Sequence, residues 1–193
     1  MLRSISLLFL LSAFSCRPTR DDCLITFENE LSKEQSELIT ELTNSFGTYI
    51  ENFENNNFAN NYRSFLTQIV ESEELYFNLP KDNDLGKRVL QIDTMIFKYD
   101  YYENDDGEQR KFIQTFVNSD YILALKAVEN CSNLIADYVV TIEETGGISP
   151  ALLASGASQS FSNRDFHDPI LQRILAVELY LPFLTFELDE KRL

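Results

Sequence analysis

The side chain best suited to acid–base chemistry is the single histidine, His167, set between acids in Asp165-Phe166-His167-Asp168-Pro169. A histidine oriented by a carboxylate can activate a hydroxyl nucleophile. A serine-rich stretch, Ser155-Gly156-Ala157-Ser158-Gln159-Ser160, lies just upstream. Its glycine and serine order is not the Gly-x-Ser-x-Gly elbow, and no strand pattern leads into it. A loop histidine beside a helix N-cap is accounted for by solvation, so no residue is assigned as catalytic. Acid pairs such as Glu73-Glu74 and Glu143-Glu144 fit solvated helix ends. A glycosidase pair is defined by the separation of its carboxyl groups, not by their abundance. A hydrolase using loop carboxylates or His167 remains the enzymatic alternative.

Metal and cofactor chemistry finds no footing. Asp82-Asn83-Asp84 and Asp105-Asp106-Gly107 have the composition of calcium loops but not the register. With Gly107 at the sixth loop position the first is Tyr102. With Asp82 first the fifth is Gly86, which has no side-chain oxygen. Both read as turns. Two distant cysteines and one histidine lack zinc spacing, and no glycine-rich phosphate loop is present. The predicted cofactor set is empty. Aromatic residues offer a different chemistry. Phe97, Tyr99, Tyr101 and Tyr102 could line a sugar- or peptide-binding surface. Most aromatics at helical spacing belong to a core, whereas Tyr101 and Tyr102 abut an acidic loop and are the candidates for an exposed aromatic surface.

Composition bounds the partners. The chain has 193 residues and a formal charge of −15, with no Lys/Arg cluster. Phosphate backbones are held by cation contacts, so nucleic acid is excluded as a partner. The same charge disfavours adhesion to anionic lipid and permits a basic protein partner. Fifteen Phe and nine Tyr supply a large core, while six Gly and five Pro are too few for a turn-rich β-sandwich. The expectation is an all-α, single-domain bundle of about five to six helices.

The N-terminus carries an address. Arg3 precedes an apolar run from Ile5 to Phe14, about half the ~20 residues that a spanning helix needs. That pattern is a removable signal peptide. Ala13-Phe14-Ser15-Cys16 resembles the lipobox of bacterial lipoproteins, although Phe14 is bulky and Leu is more usual at the place of Ala13. The resemblance covers residues 1–16 only. It implies cleavage after Ser15, a diacylglyceryl group on Cys16 and membrane attachment through acyl chains, of which two anchor stably. Cleavage by ordinary signal peptidase after Ser15 is the competing reading. Arg17, where Asp would signal inner-membrane retention, favours the outer membrane. Asp21-Asp22 is similar to a short, degenerate surface-export tag, and the better reading of the pair is a solvated linker. Residues 16–23 are expected to form the lipidated N-terminus and tether, and residues 24–193 the helical domain. An acidic inhibitor or immunity lipoprotein that neutralises a basic toxin is a more specific version of such an envelope protein. In an oxidising envelope, Cys23 and Cys131 are a candidate disulfide, the alternative being two buried free thiols. Asp93-Thr94-Met95 resembles an envelope glycosylation site.

Helical spacing predicts the scaffold. Ser32, with Gln35 three residues on, is a capping box ahead of a stripe of Leu38, Leu42, Phe46 and Phe53. Asn55-Asn56-Asn57 interrupts it, and Phe58, Tyr62, Phe65, Leu66 and Ile69 begin a second helix that packs back as a hairpin. Leu85, Val89, Ile92, Ile96 and Tyr99 fit a third helix, which favours helix–loop–helix there. The alternation Met95, Phe97, Tyr99, Tyr101 around Asp106-Gly107 also allows a small β-hairpin at 95–117. One long helix is expected from Asn118-Ser119-Asp120 to Gly146-Gly147. Ser149-Pro150 starts a short helix toward Gly156, with a serine-rich loop over 157–163. Asp168-Pro169 starts the last helix, which Pro182 is expected to kink or end.

Overall fold

The computed structural model describes residues 18–54, 56–71, 82–91, 96–103 and 109–190. These residues form a helical bundle with one two-stranded antiparallel hairpin. Helices α1 (Arg20–Asn29), α2 (Lys33–Glu51), α3 (Phe58–Glu71) and α4 (Asn83–Gln91) come first. Strands β1 (Lys98–Glu103) and β2 (Gln109–Gln114) follow. Helices α5 (Asp120–Ala127), α6 (Asn133–Thr145), α7 (Pro150–Ser160), α8 (Pro169–Leu175) and α9 (Leu181–Glu190) complete the bundle.

The folded part starts earlier than the predicted tether allows. Thr19 caps α1, and its hydroxyl accepts from the Asp22 amide at 3.2 Å. The Asp22 carboxylate accepts in return from the Thr19 amide at 3.1 Å. Asp21 and Asp22 are thus first-turn helix residues, where carboxylates complement the helix dipole. They are not free linker. Cys23 and Phe27 bury the inner face of α1. Ser32 and Gln35 close the expected capping box on α2, with bonds of 3.3 and 2.8 Å.

The core is aromatic. Phe46 on α2 meets the rings of Tyr62 and Phe65 edge-on, at 5.8 and 5.4 Å, and stacks on Tyr180 at 5.5 Å. All four are buried, and such pairs add to the stabilisation that their burial supplies. Arg63 couples α3 to α7. Its guanidinium donates to the Ser158 and Phe161 carbonyls at 2.9 and 2.6 Å and lies over the Phe166 ring.

Several boundaries differ from the sequence pattern. Of the third predicted helix, the described part is Asn83–Gln91, and Lys98–Glu103 instead pairs antiparallel with Gln109–Gln114, Tyr101 opposite Lys111 and Tyr102 opposite Arg110. Alternation outweighed the 3.6-residue spacing there. The long helix over 118–146 is broken. A 3-10 turn, Glu129–Cys131, separates α5 from α6, and Ser132 caps the new helix by accepting from the Leu134 amide. Helix α7 runs into the expected serine loop as far as Ser160, where the Phe161 amide bonds to the Ala157 carbonyl. Pro182 does not end the last helix. A π-helical turn, Ala176–Tyr180, precedes it, with the Leu181 amide bonded to the Ala176 carbonyl. A proline cannot donate to the carbonyl four residues back and crowds it. The wider turn lets the chain pass into α9.

Candidate functional site

Two polar assemblies stand out. The first is buried and centres on Glu178, which the π turn carries into the core. Tyr138 on α6 donates its hydroxyl to Glu178 Oε1 at 2.5 Å, and Thr115, just past β2, donates to the same oxygen at 2.8 Å. One carboxyl thereby ties three elements together. Burial pushes the Glu178 carboxyl above the usual carboxylate range, with the two hydroxyl donors pulling the other way. Burial, reinforced by the nearby carboxylate, holds the Tyr138 phenol well above its ordinary value. Tyr121 is buried and feels Glu178 and Arg173 in opposite senses. Its hydroxyl has no hydrogen-bond partner among the described residues. Arg173 on α8 is also buried, held by Glu28 at 2.8 Å, Thr40 at 3.2 Å and the Pro169 carbonyl at 3.0 Å.

The second assembly is open. A polar cavity of about 780 Å³ forms where the start of α1, the 3-10 turn, the start of α6 and the Arg164-Asp165 corner meet. Cys23 and Cys131 are joined beside it by a disulfide, with Cα atoms 6.3 Å apart. Arg20 crosses to this corner, pairing with Asp168 at 3.2 Å and donating to the Arg164 carbonyl at 3.3 Å. The exposed Arg164 guanidinium has no such partner among the described residues. Glu178 does not line this cavity.

No protein-family model matches this chain, and neither curated proteins nor solved structures show a significant similarity to it.

His167 is exposed and meets the Phe58 ring at a tilt, with centroids 5.1 Å apart. Neither flanking acid orients it. The Asp165 carboxylate accepts from the Ser162 amide and hydroxyl, both at 2.7 Å, while Asp168 caps α8 and holds Arg20. Ser158 Oγ donates to the Ser155 carbonyl within α7. The serine stretch is a helix terminus that Arg63 caps. Asp82 accepts from the Asp84 and Leu85 amides, which makes it the start of α4. Tyr101 and Tyr102 are paired ladder residues of β1. Cys16, Glu73-Glu74, Asp93-Thr94-Met95 and Asp105-Asp106-Gly107 lie outside the described residues. No described helix is long and apolar enough to cross a membrane.

The Glu178 cluster escaped the sequence reading, although a signal exists. Arg173 and Glu178 are the two charges in a largely apolar run from Ile170 to Leu181. A helix that is apolar all round is buried, and charges inside such a helix require partners.

Proposed function

We propose that this chain is an exported bacterial envelope protein, anchored by acyl chains on Cys16, whose helical domain acts by binding or structural support. The observation that carries the reading is the isolation of Cys16. The chain has three cysteines, and Cys23 and Cys131 are joined to each other. No cysteine of the chain is left for Cys16, which stands at the end of a signal sequence in a lipobox-like setting. A disulfide closing most of the domain also suits an oxidising compartment. Arg17 supports the outer membrane over the inner. The acidity of the chain suits a basic protein as partner.

Mass spectrometry of the mature protein tests this. The expected N-terminal peptide begins at Cys16 and carries two or three acyl chains, and Cys16→Ser shifts the protein from the membrane to the soluble fraction. An unmodified Cys16 amine, or a Cys16→Ser protein that still sediments with membranes, refutes the anchor.

A further inference from the structure

The anchor point and the first fixed residue of the domain are very close in sequence, and that closeness dictates how the domain sits. Arg17 and Pro18 are the only residues between Cys16 and Thr19, the N-cap of α1. Three Cα steps reach about 11 Å at most. An acylated cysteine lies at the inner edge of a headgroup layer about 5–8 Å deep. Crossing that layer consumes most of the reach. From this, and resting on the lipid-anchor reading above, we infer that the cavity face bearing Thr19, Arg20, Asn130, Asn133 and Arg164 is docked against the bilayer surface.

Thr19 is not free to swing. Its capping box with Asp22 fixes the first turn of α1. Arg20 pairs with Asp168 at the start of α8. The Cys23–Cys131 disulfide ties the same turn to the segment ahead of α6. Three independent links therefore transmit the anchor position to the body of the domain. The charge of the face agrees. The chain as a whole is strongly acidic, but the cavity wall balances Arg20 and Arg164 against Asp21 and Asp165. The exposed guanidinium of Arg164 suits lipid phosphates. A face this close to neutral meets headgroups without the repulsion that the rest of the surface would impose.

The chain has no tryptophan, so a single introduced Trp is a clean depth probe. Asn130→Trp and Asn133→Trp, both at exposed positions on this face, are compared with Val70→Trp at the far end of α3 from the Phe58–His167 contact. Each full-length, lipidated protein is reconstituted into phosphatidylcholine vesicles carrying a nitroxide on the headgroup, and flotation and fluorescence quenching are read together. The expected result is flotation of all three, with the Asn130 and Asn133 probes quenched severalfold more than Val70→Trp. Two probe positions keep the comparison available if one variant fails to fold, which circular dichroism reveals. Floating proteins quenched equally, or most at Val70, overturn the docked face and leave the anchor intact. Proteins that do not float overturn the anchor and the docking with it.

Discussion

Glu178 places a carboxyl in the core, where burial penalises its charged form. A folded-state pKa raised by burial means that the native protein binds this proton more tightly than the unfolded chain. Stability is therefore lost as pH rises from the ordinary glutamate value, about 4.3, through the folded one. Glu178→Gln keeps an Oε1 acceptor for Tyr138 and Thr115 and removes the charge. Thermal melts should converge near pH 4, where both side chains are neutral. The variant should melt higher at pH 7.5, with the gap opening as pH rises. A constant gap across that range would show that Glu178 titrates as it does in water. The cluster was hidden in the sequence because its members sit at positions 115, 138 and 178. No local spacing links them. The Cys23–Cys131 pair could be named from composition and cysteine count, but its meeting was not readable, since it depends on how α1 lies against α5 and α6.

Helices whose signals are contiguous were read well. Ser32 with Gln35, Ser149-Pro150 and Asp168-Pro169 each declare a helix start within four residues, and each cap forms. Thr19 with Asp22 carries the same grammar, but the polar stretch around it has little apolar periodicity and reads as linker. The break at Ser132 was obscured for the opposite reason. The apolar stripe continues across it, from Leu125 and Val128 to Ile135 and Val139, so periodicity alone bridges the 3-10 turn. Two glycines test the element boundaries in opposite directions. Gly146 ends α6 in the left-handed region at φ 78°, where an L side chain costs about 1–2 kcal/mol. Gly156 lies inside α7 with open space where a Cβ would stand, and alanine there should stabilise by roughly 0.5–1 kcal/mol. Gly146→Ala should thus lower the melting temperature by a few degrees and Gly156→Ala raise it slightly. Shifts of the same sign would contradict the boundary at one of them.

At the scale of the molecule, the disulfide is a long-range covalent constraint. It joins residues 108 positions apart, and a loop of that size is worth about 4–5 kcal/mol in the chain-entropy treatment, with measured values commonly 2–5. Removing both partners with Cys23→Ser and Cys131→Ser should lower stability by that order, read as an earlier midpoint in urea. The same midpoint in the double variant and the oxidised protein would show that packing of α1 alone holds the first helix. The bridge also sets a load path. Tension applied ahead of Thr19 does not peel α1 from the bundle turn by turn. It reaches the disulfide within the first turn of the helix and passes through a covalent bond to the segment leading into α6. Rupture by pulling would then have to shear the core rather than unzip its edge, so the domain is fastened at the point where the proposed anchor would pull it.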